Sequence, residues 1–449
     1  MKNKYVEMLS DAQSFFINEK YDEAIKTCKE ILLENAQNVE ATRILARSLF
    51  NKEDYDTAEK VFERVCKMAP EDAEANFDLG TLYLTQEKYS DTMEQYALSL
   101  QKGCSEEVAN KIHYVMGTIN MEINGDNKNA LANFEKVGFE DLPDVLLDKI
   151  QIYVEENNYT AAENCALQLK LLLPAEYTVY DVLFNIYMES KNLSKAKDTL
   201  KEAGEILKKA SEMVADEKER EELNESRADF IKKKITYACV YADIEPNQEK
   251  KKSIFGSAKE SIEKALADDT VNFNTVDKCD LHLYKAEIHM RLDETESAKS
   301  ELLKIEDMIA DSKEDMKEYL ERILFLKITI ADSEKDYETS LKTAEELINS
   351  ENLFLRHHAY YTTAHSLKKL AENDESREEE KQNAYNYAIA YFKNETVKNP
   401  GDFIALLYRA MCYADYGKLQ EAKEISHRLP EENEKELLDY LQKLENGEE

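Results

Sequence analysis

Apolar residues recur along this chain at spacings of three, four and seven, as in Val61, Phe62, Val65 and Met68. That is one face of a 3.6-residue helix, not the alternation of a half-buried strand. Short polar stretches at residues 18–23 and 51–56 interrupt the pattern, so the helices are predicted to come in pairs joined by tight turns. The pairs repeat with a period of 34: small residues at Ala12, Ala46 and Gly80, tyrosines at Tyr21, Tyr55 and Tyr89, then Ala24, Ala58 and Thr92, then Cys28, Phe62 and Tyr96. Ala36 and Pro70 take the matching place at the end of a pair, where proline stops one helix and opens the next. The small residues are predicted to lie where the two helices of a pair meet, with Phe15 and Leu49 filling the space between layers.

A fixed period of this length marks a stacked repeat, in which each unit buries its apolar face against its neighbours. The order of small, aromatic, small and terminal proline in Ala46, Tyr55, Ala58, Phe62 and Pro70 resembles the tetratricopeptide repeat (TPR) family. The resemblance continues through Ala130 and Phe134, Tyr159, Ala162 and Pro174, Ala196, Ala258, Ala286 and Ala298, Tyr337, Ala388, Phe392 and Pro400, to Ala410 and Ala422. It implies an all-α, right-handed superhelical solenoid of about eleven helix-turn-helix units between residues 5 and 436, closed by a capping helix at 431–445. A regular array is expected over 1–210 and a looser one over 211–449. Three irregularities are anticipated: an extra residue between the helices of the fourth unit near Asn124 to Asn127, a long charged helical stretch from Ala203 to Ile244 followed by an insertion at Glu245 to Asn247, and a charged insertion at 371–383.

Composition sharpens the fold and narrows the chemistry. Only 10 glycines and 6 prolines stand in 449 residues with 43% hydrophobic content, a scarcity of turn formers that disfavours β-structure. The formal charge of −34 opposes nucleic acid and anionic membrane surfaces. It either steers a basic partner or only keeps an extended surface solvated. Cys28, Cys165, Cys239 and Cys412 fall on apolar faces, no CxxC pair occurs, and neither a signal-peptide run nor a membrane-spanning run is present. A soluble, reducing, cytoplasmic setting is therefore expected.

No phosphate-cradling glycine loop, GxSxG elbow or HExxH motif is present, so no cofactor, metal or enzymatic activity is expected. His358 and His365 stand seven apart on one predicted helix, and ordinary surface or partly buried histidines are the preferred reading over a metal pair. The family resemblance places the working surface on the inner helices, in a concave groove. Repeat phase puts Leu9, Gln13 and Phe16 there in the first unit, Arg43, Arg47 and Phe50 in the second, and Phe77, Thr81 and Leu84 in the third. These residues serve either as a cradle for a peptide or helix, or as inter-layer core with locally paired arginines. Chaperone-binding members clamp a C-terminal carboxylate with cations; the corresponding positions here are Leu9, Gln13, Ile44, Glu74 and Asp78, and two carboxylates there are expected to repel such a ligand. A second candidate surface is the basic concentration at Lys232, Lys233, Lys234, Lys250, Lys251 and Lys252, beside Lys208 and Lys209. The function expected is a protein-interaction scaffold or adaptor, with a peptide-responsive regulator acting on another protein as the alternative and an enzyme with an unrecognised site as the second. Partner identity and oligomeric state stay open.

Overall fold

Size complementarity across each helix pair organises the structure, a computed structural model that describes residues 2–138, 142–214, 216–268, 271, 273–310 and 316–446. Ala12, Ala24, Ala46 and Ala58 are fully buried, as is Cys28, and the small side chains let the paired backbones approach. Opposite the rings of Tyr96 and Phe134 the first helix of the pair carries glycine. A Cβ added to Gly80 would stand 2.6 Å from a Tyr96 ring carbon, and one added to Gly117 would stand 2.4 Å from Phe134. Both distances are below van der Waals contact, so these two glycines are required by the close approach.

Among the described residues every regular element is helical, and the helices form eleven consecutive pairs and one closing helix. The chain divides into two compact units, residues 1–206 and 207–449. The first contains α1 (Lys2–Ile17), α2 (Tyr21–Glu34), α3 (Val39–Asn51), α4 (Tyr55–Met68), α5 (Ala73–Thr85), α6 (Tyr89–Gln101), α7 (Glu106–Thr118), α8 (Asn127–Phe134), α9 (Leu142–Glu155), α10 (Tyr159–Leu172), α11 (Tyr177–Glu189) and most of α12 (Leu193–Met213). The second contains α13 (Glu217–Ile244), α14 (Gln248–Leu266), α15 (Thr275–Arg291), α16 (Thr295–Met308), α17 (Lys317–Ser333), α18 (Tyr337–Leu347), α19 (Leu353–Ala371), α20 (Glu378–Lys398), α21 (Phe403–Asp415), α22 (Leu419–Ser426) and α23 (Glu431–Asn446). It is an all-α solenoid of helical repeats. The last helix buries Leu437 and Leu441 against Leu407, Ala410 and Ala414 of α21 and Ala422 of α22, and so covers the apolar face of the eleventh pair.

The turn inside a pair is built the same way through most of the chain. Glu19, Glu53, Glu87, Asn157, Lys191, Asp293 and Lys335 all have φ between 57° and 61°, each two residues before its second helix starts. The following residue donates its N–H five residues back: Lys20 to Phe15 O, Asp54 to Leu49 O and Lys88 to Tyr83 O, at 2.8 to 3.0 Å. This is the closing bond of a left-handed helix C-terminus, and it holds even without glycine. Side-chain carboxylates and amides then start the next helix: Asn38, Asp54, Asp72 and Asn158 accept from N–H groups in the first turns of α3, α4, α5 and α10.

The structure revises three expectations. The extra residue of the fourth unit does not lengthen the loop: it is absorbed in a π-helical turn, Ile119–Ile123, continuing α7, and Asp126 N–H reaches back to Asn120 O at 2.8 Å. The charged stretch from Ala203 to Ile244 is two helices, broken where Asp216 caps α13 through Glu219 N–H, and the segment at 245–247 is the ordinary turn of the seventh pair, with Asn247 capping α14. Most of the segment at 371–383 is helical too. A short 3-10 turn, Glu375–Arg377, leads directly into α20, whose first turn holds Glu378, Glu379 and Glu380, a placement the helix dipole favours.

Candidate interaction face

Inner helices of successive pairs lie side by side, α1 against α3 and α3 against α5, so the residues singled out by repeat phase gather on one face of unit 1. Phe16 packs against Tyr21 and Phe50 against Tyr55, with ring centroids 5.9 and 5.7 Å apart. Leu9, Phe16 and Phe50 are partly buried against the core of the first three pairs. Phe77 stacks on Tyr96 at 5.7 Å, and Thr81 bonds Phe77 O at 2.9 Å and sits 3.3 Å from the Tyr96 hydroxyl. Leu84 is half-buried and Gln13 is exposed.

Charge on this face is arranged between neighbouring units. Arg43 is bonded to Asp72 and lies 3.3 Å from Glu74. Arg47 engages Asp78 with two bonds, Nε to Oδ2 at 2.8 Å and Nη2 to Oδ1 at 2.9 Å. Burial raises the pKa of the Asp78 carboxyl although Arg47 opposes it, so this fork is held against a desolvation cost. Asp72 does double duty, capping α5 while holding Arg43. The clamp-equivalent positions are thus occupied: Glu74 and Asp78 face the arginines of the preceding unit, and Ile44 is buried.

Two further apolar residues of this face are open to solvent. Val6 is 67% exposed and Ile17 70% exposed, on the same helical stripe as Leu9 and Gln13. Their spacing from Gln13 by seven and four is the signal that marks them.

The lysines of the second candidate surface are dispersed. Lys232 pairs with Asp277 at 2.8 Å and Asp280 at 3.4 Å, and Lys233 with Asp229 at 2.8 Å. Lys234 lies over the Phe230 ring, and Lys251 lies 3.7 Å from Asp243. Lys250 and Lys252 belong to the first turns of α14.

The three histidines of α19 meet carboxylates and hydroxyls. His357 is 1% exposed and bridges Tyr391 (2.8 Å) and Asp402 (2.9 Å). His358 meets the Tyr408 hydroxyl at 3.1 Å, and burial lowers its pKa to about 4. His365 meets Asp415 at 3.2 Å. Among the described residues no group of three or more His, Cys, Asp or Glu side chains is arranged to hold a metal, and no helix is long and apolar enough to cross a membrane.

The 34-residue register and this geometry coincide with a sequence comparison: the tetratricopeptide repeat model matches residues 9–66 and again 45–103. Residues 9–103 are similar to the tetratricopeptide repeat. The matched segments span the first three helix pairs, and the same left-handed turn residue recurs in later pairs at Asn157, Lys191, Asp293 and Lys335. A search of curated proteins finds no match. Similar solved structures include the C-terminal part of a TPR repeat-containing protein from Cytophaga hutchinsonii (16% identity, 59% of this chain and 96% of that one, TM-score 0.47). Also similar are YrrB, a TPR protein with an unusual peptide-binding site (17% identity, 41% of this chain and 93% of that one, TM-score 0.35), and Naa15/Naa10 bound to HypK-THB (14% identity, 99% of this chain and 66% of that one, TM-score 0.38).

Proposed function

We propose that this chain is a non-enzymatic protein-interaction scaffold of the cytoplasm, and that the α1/α3/α5 face of unit 1 holds a peptide or helical segment of a partner protein. The observation that carries this reading is the open apolar edge formed by Val6 and Ile17, 67% and 70% exposed, beside the half-buried Phe16 and Phe50. An amphipathic segment laid across inner helices would cover these side chains, and burying each is worth about 1.5–3 kcal/mol.

Charge supports a partner segment bearing Lys or Arg. Arg43 and Arg47 are already engaged, and the carboxylates around them, Glu40, Asp72, Glu74 and Asp78, outnumber the two guanidinium groups. The same excess disfavours an acidic chaperone C-terminus, and the overall charge disfavours nucleic acid and anionic membranes.

The test is affinity capture from the native cell extract at low and high salt, comparing the intact chain with Val6→Asp/Ile17→Asp. These exposed positions keep Arg43, Arg47 and Phe77 in their structural roles. The expected result is a stoichiometric protein partner that the double variant loses and that weakens with salt. Capture of the same set by both proteins would remove this face from consideration.

A further inference from the structure

Unit 2 holds a cavity of about 730 Å³ whose charge runs opposite to that of the chain. In a molecule of formal charge −34, it is lined by Lys335 from the α17–α18 turn, Lys369 of α19 and Lys443 of α23, together with His365, Tyr337 and Tyr440. Among the described residues Glu372 is the one carboxylate of the lining, and it stands 3.7 Å from Lys369. Among the described residues neither Lys335 nor Lys443 has a carboxylate within 4 Å. A neighbouring cavity in the same unit shows the ordinary alternative: its two lysines, Lys299 and Lys327, are each satisfied, by Glu334 at 2.7 Å and Glu306 at 2.6 Å.

The wall behind the cavity is built to hold positive charge in place. Asp415, whose side chain is fully buried, accepts from the Tyr440 hydroxyl at 2.6 Å, the Tyr361 hydroxyl at 3.2 Å and Lys368 at 3.1 Å, and meets His365 Nδ1 at 3.2 Å. Its carboxylate therefore fixes the His365 ring by Nδ1, and Nε2 is left as the ring nitrogen without a partner among the described residues. Tyr337 stands edge-on to that ring, with centroids 6.4 Å apart, and closes one side.

We propose that this cavity binds a phosphate group. A phosphate monoester carries about −1.5 to −2 charges at neutral pH and three acceptor oxygens, which matches three ammonium groups and a ring nitrogen better than a single carboxylate does. The volume lies in the range of small-ligand sites, and the low-entropy aromatic walls are suited to the body of the molecule that carries the phosphate. That molecule is either a small phosphate ester or a phosphorylated peptide side chain. The proposal is independent of the partner-binding reading of unit 1.

The experiment is isothermal titration of the full chain with inorganic pyrophosphate, with a phosphoserine peptide, and with the same peptide carrying glutamate in place of phosphoserine. Each is repeated on Lys335→Gln/Lys443→Gln. Because neither amine pairs with a carboxylate among the described residues, the double variant is expected to keep its helicity and melting temperature, checked by circular dichroism. Saturable binding of pyrophosphate or of the phosphopeptide, weakened about tenfold or more in the double variant and by added salt, is the expected result. Pyrophosphate binding alone would assign a free phosphate ester; a clearly tighter phosphopeptide would assign a modified protein. No saturable binding, binding undiminished in the double variant, or equal affinity for the glutamate peptide would overturn the proposal.

Discussion

Unit 1 and the end of unit 2 stack the same helix pair but fill it by different means. In unit 1 the layers are matched by volume: Ala46 faces Phe62, Gly80 faces Tyr96 and Gly117 faces Phe134, and these rings are 2% exposed or less. Across α19, α20 and α21 the layers are matched by polarity. His357 joins Tyr391 to Asp402, His358 meets Tyr408, and Asp415 collects His365, Lys368, Tyr361 and Tyr440. Six of the seven histidines lie in unit 2, and another buried carboxylate there, Glu301, is caught in the same manner by His282, Lys285 and Lys304. The comparison teaches that the repeat tolerates a polar interior where buried carboxylates such as Asp415 and Glu301 are answered, and that each solution has its own weak point: steric in unit 1, electrostatic in unit 2.

The largest break should come from Asp415. Burial by itself would raise the pKa of this carboxyl, yet the bond and charge of His365 and the charge of Lys368 bring it down to about 2. Asp415→Ala leaves those cations facing a buried gap, and loss of one partner of a buried pair costs about 3–5 kcal/mol. Hydrogen exchange should show faster opening in α19 to α23, with α3 to α6 of unit 1 unchanged. Uniform protection in the variant would mean that the polar network contributes nothing to the stack.

A smaller loss is expected where unit 1 is matched by volume. In Gly80→Ala the new methyl meets the Tyr96 ring, and the equivalent change at Gly117 meets Phe134. Alanine is the better helix former by about 1 kcal/mol, while forcing a ring aside costs about 1–3 kcal/mol. A net destabilisation of up to about 2 kcal/mol follows. Urea unfolding of Gly80→Ala, alone and with Tyr96→Leu, measures it: the smaller side chain should restore most of the loss, and an equal loss in both backgrounds would remove the ring from the account.

The volume-matched layers were legible in the sequence and the polar ones were not. Ala12, Ala46 and Gly80 lie 34 residues apart, as do Tyr21, Tyr55 and Tyr89, so periodicity alone placed the helices and the face they share. The arginines on that face had two readings, and their partners Asp72 and Asp78 stand one unit further on, at distances set by the repeat. In unit 2 the helical segment that opens α20 changes the spacing, and His357 to Asp402 is 45 residues and His365 to Asp415 is 50. No fixed period leads from one partner to the other. The cavity lysines are harder still to find, because Lys335, Lys369 and Lys443 come from three separate helix ends that only the folded chain brings together.

The smallest effect sharpens the comparison, because a half-buried carboxylate in unit 1 is left without an answer among the described residues. Asp148 on α9 has a buried Oδ2 with no hydrogen-bond partner, and desolvation, with Glu122 and Asp144 nearby, raises its pKa from 3.8 to about 6. A carboxyl raised in the folded state binds its proton more tightly there than in the unfolded chain. Its contribution to stability is therefore favourable below pH 3.8 and is lost as pH rises through about 6. Asp415 runs the other way: its contribution is present above pH 3.8 and lost as pH falls towards about 2. Asp148→Asn removes the charge and should stabilise the chain at pH 7 by about 1 kcal/mol, a figure reduced for solvent still reaching this half-buried side chain. The gain should shrink between pH 6 and pH 4, where the native carboxyl is increasingly protonated. Melting temperatures of the two proteins measured across that range decide it: a constant difference would point to packing at Asp148, and a difference that closes on acidification to the unanswered charge.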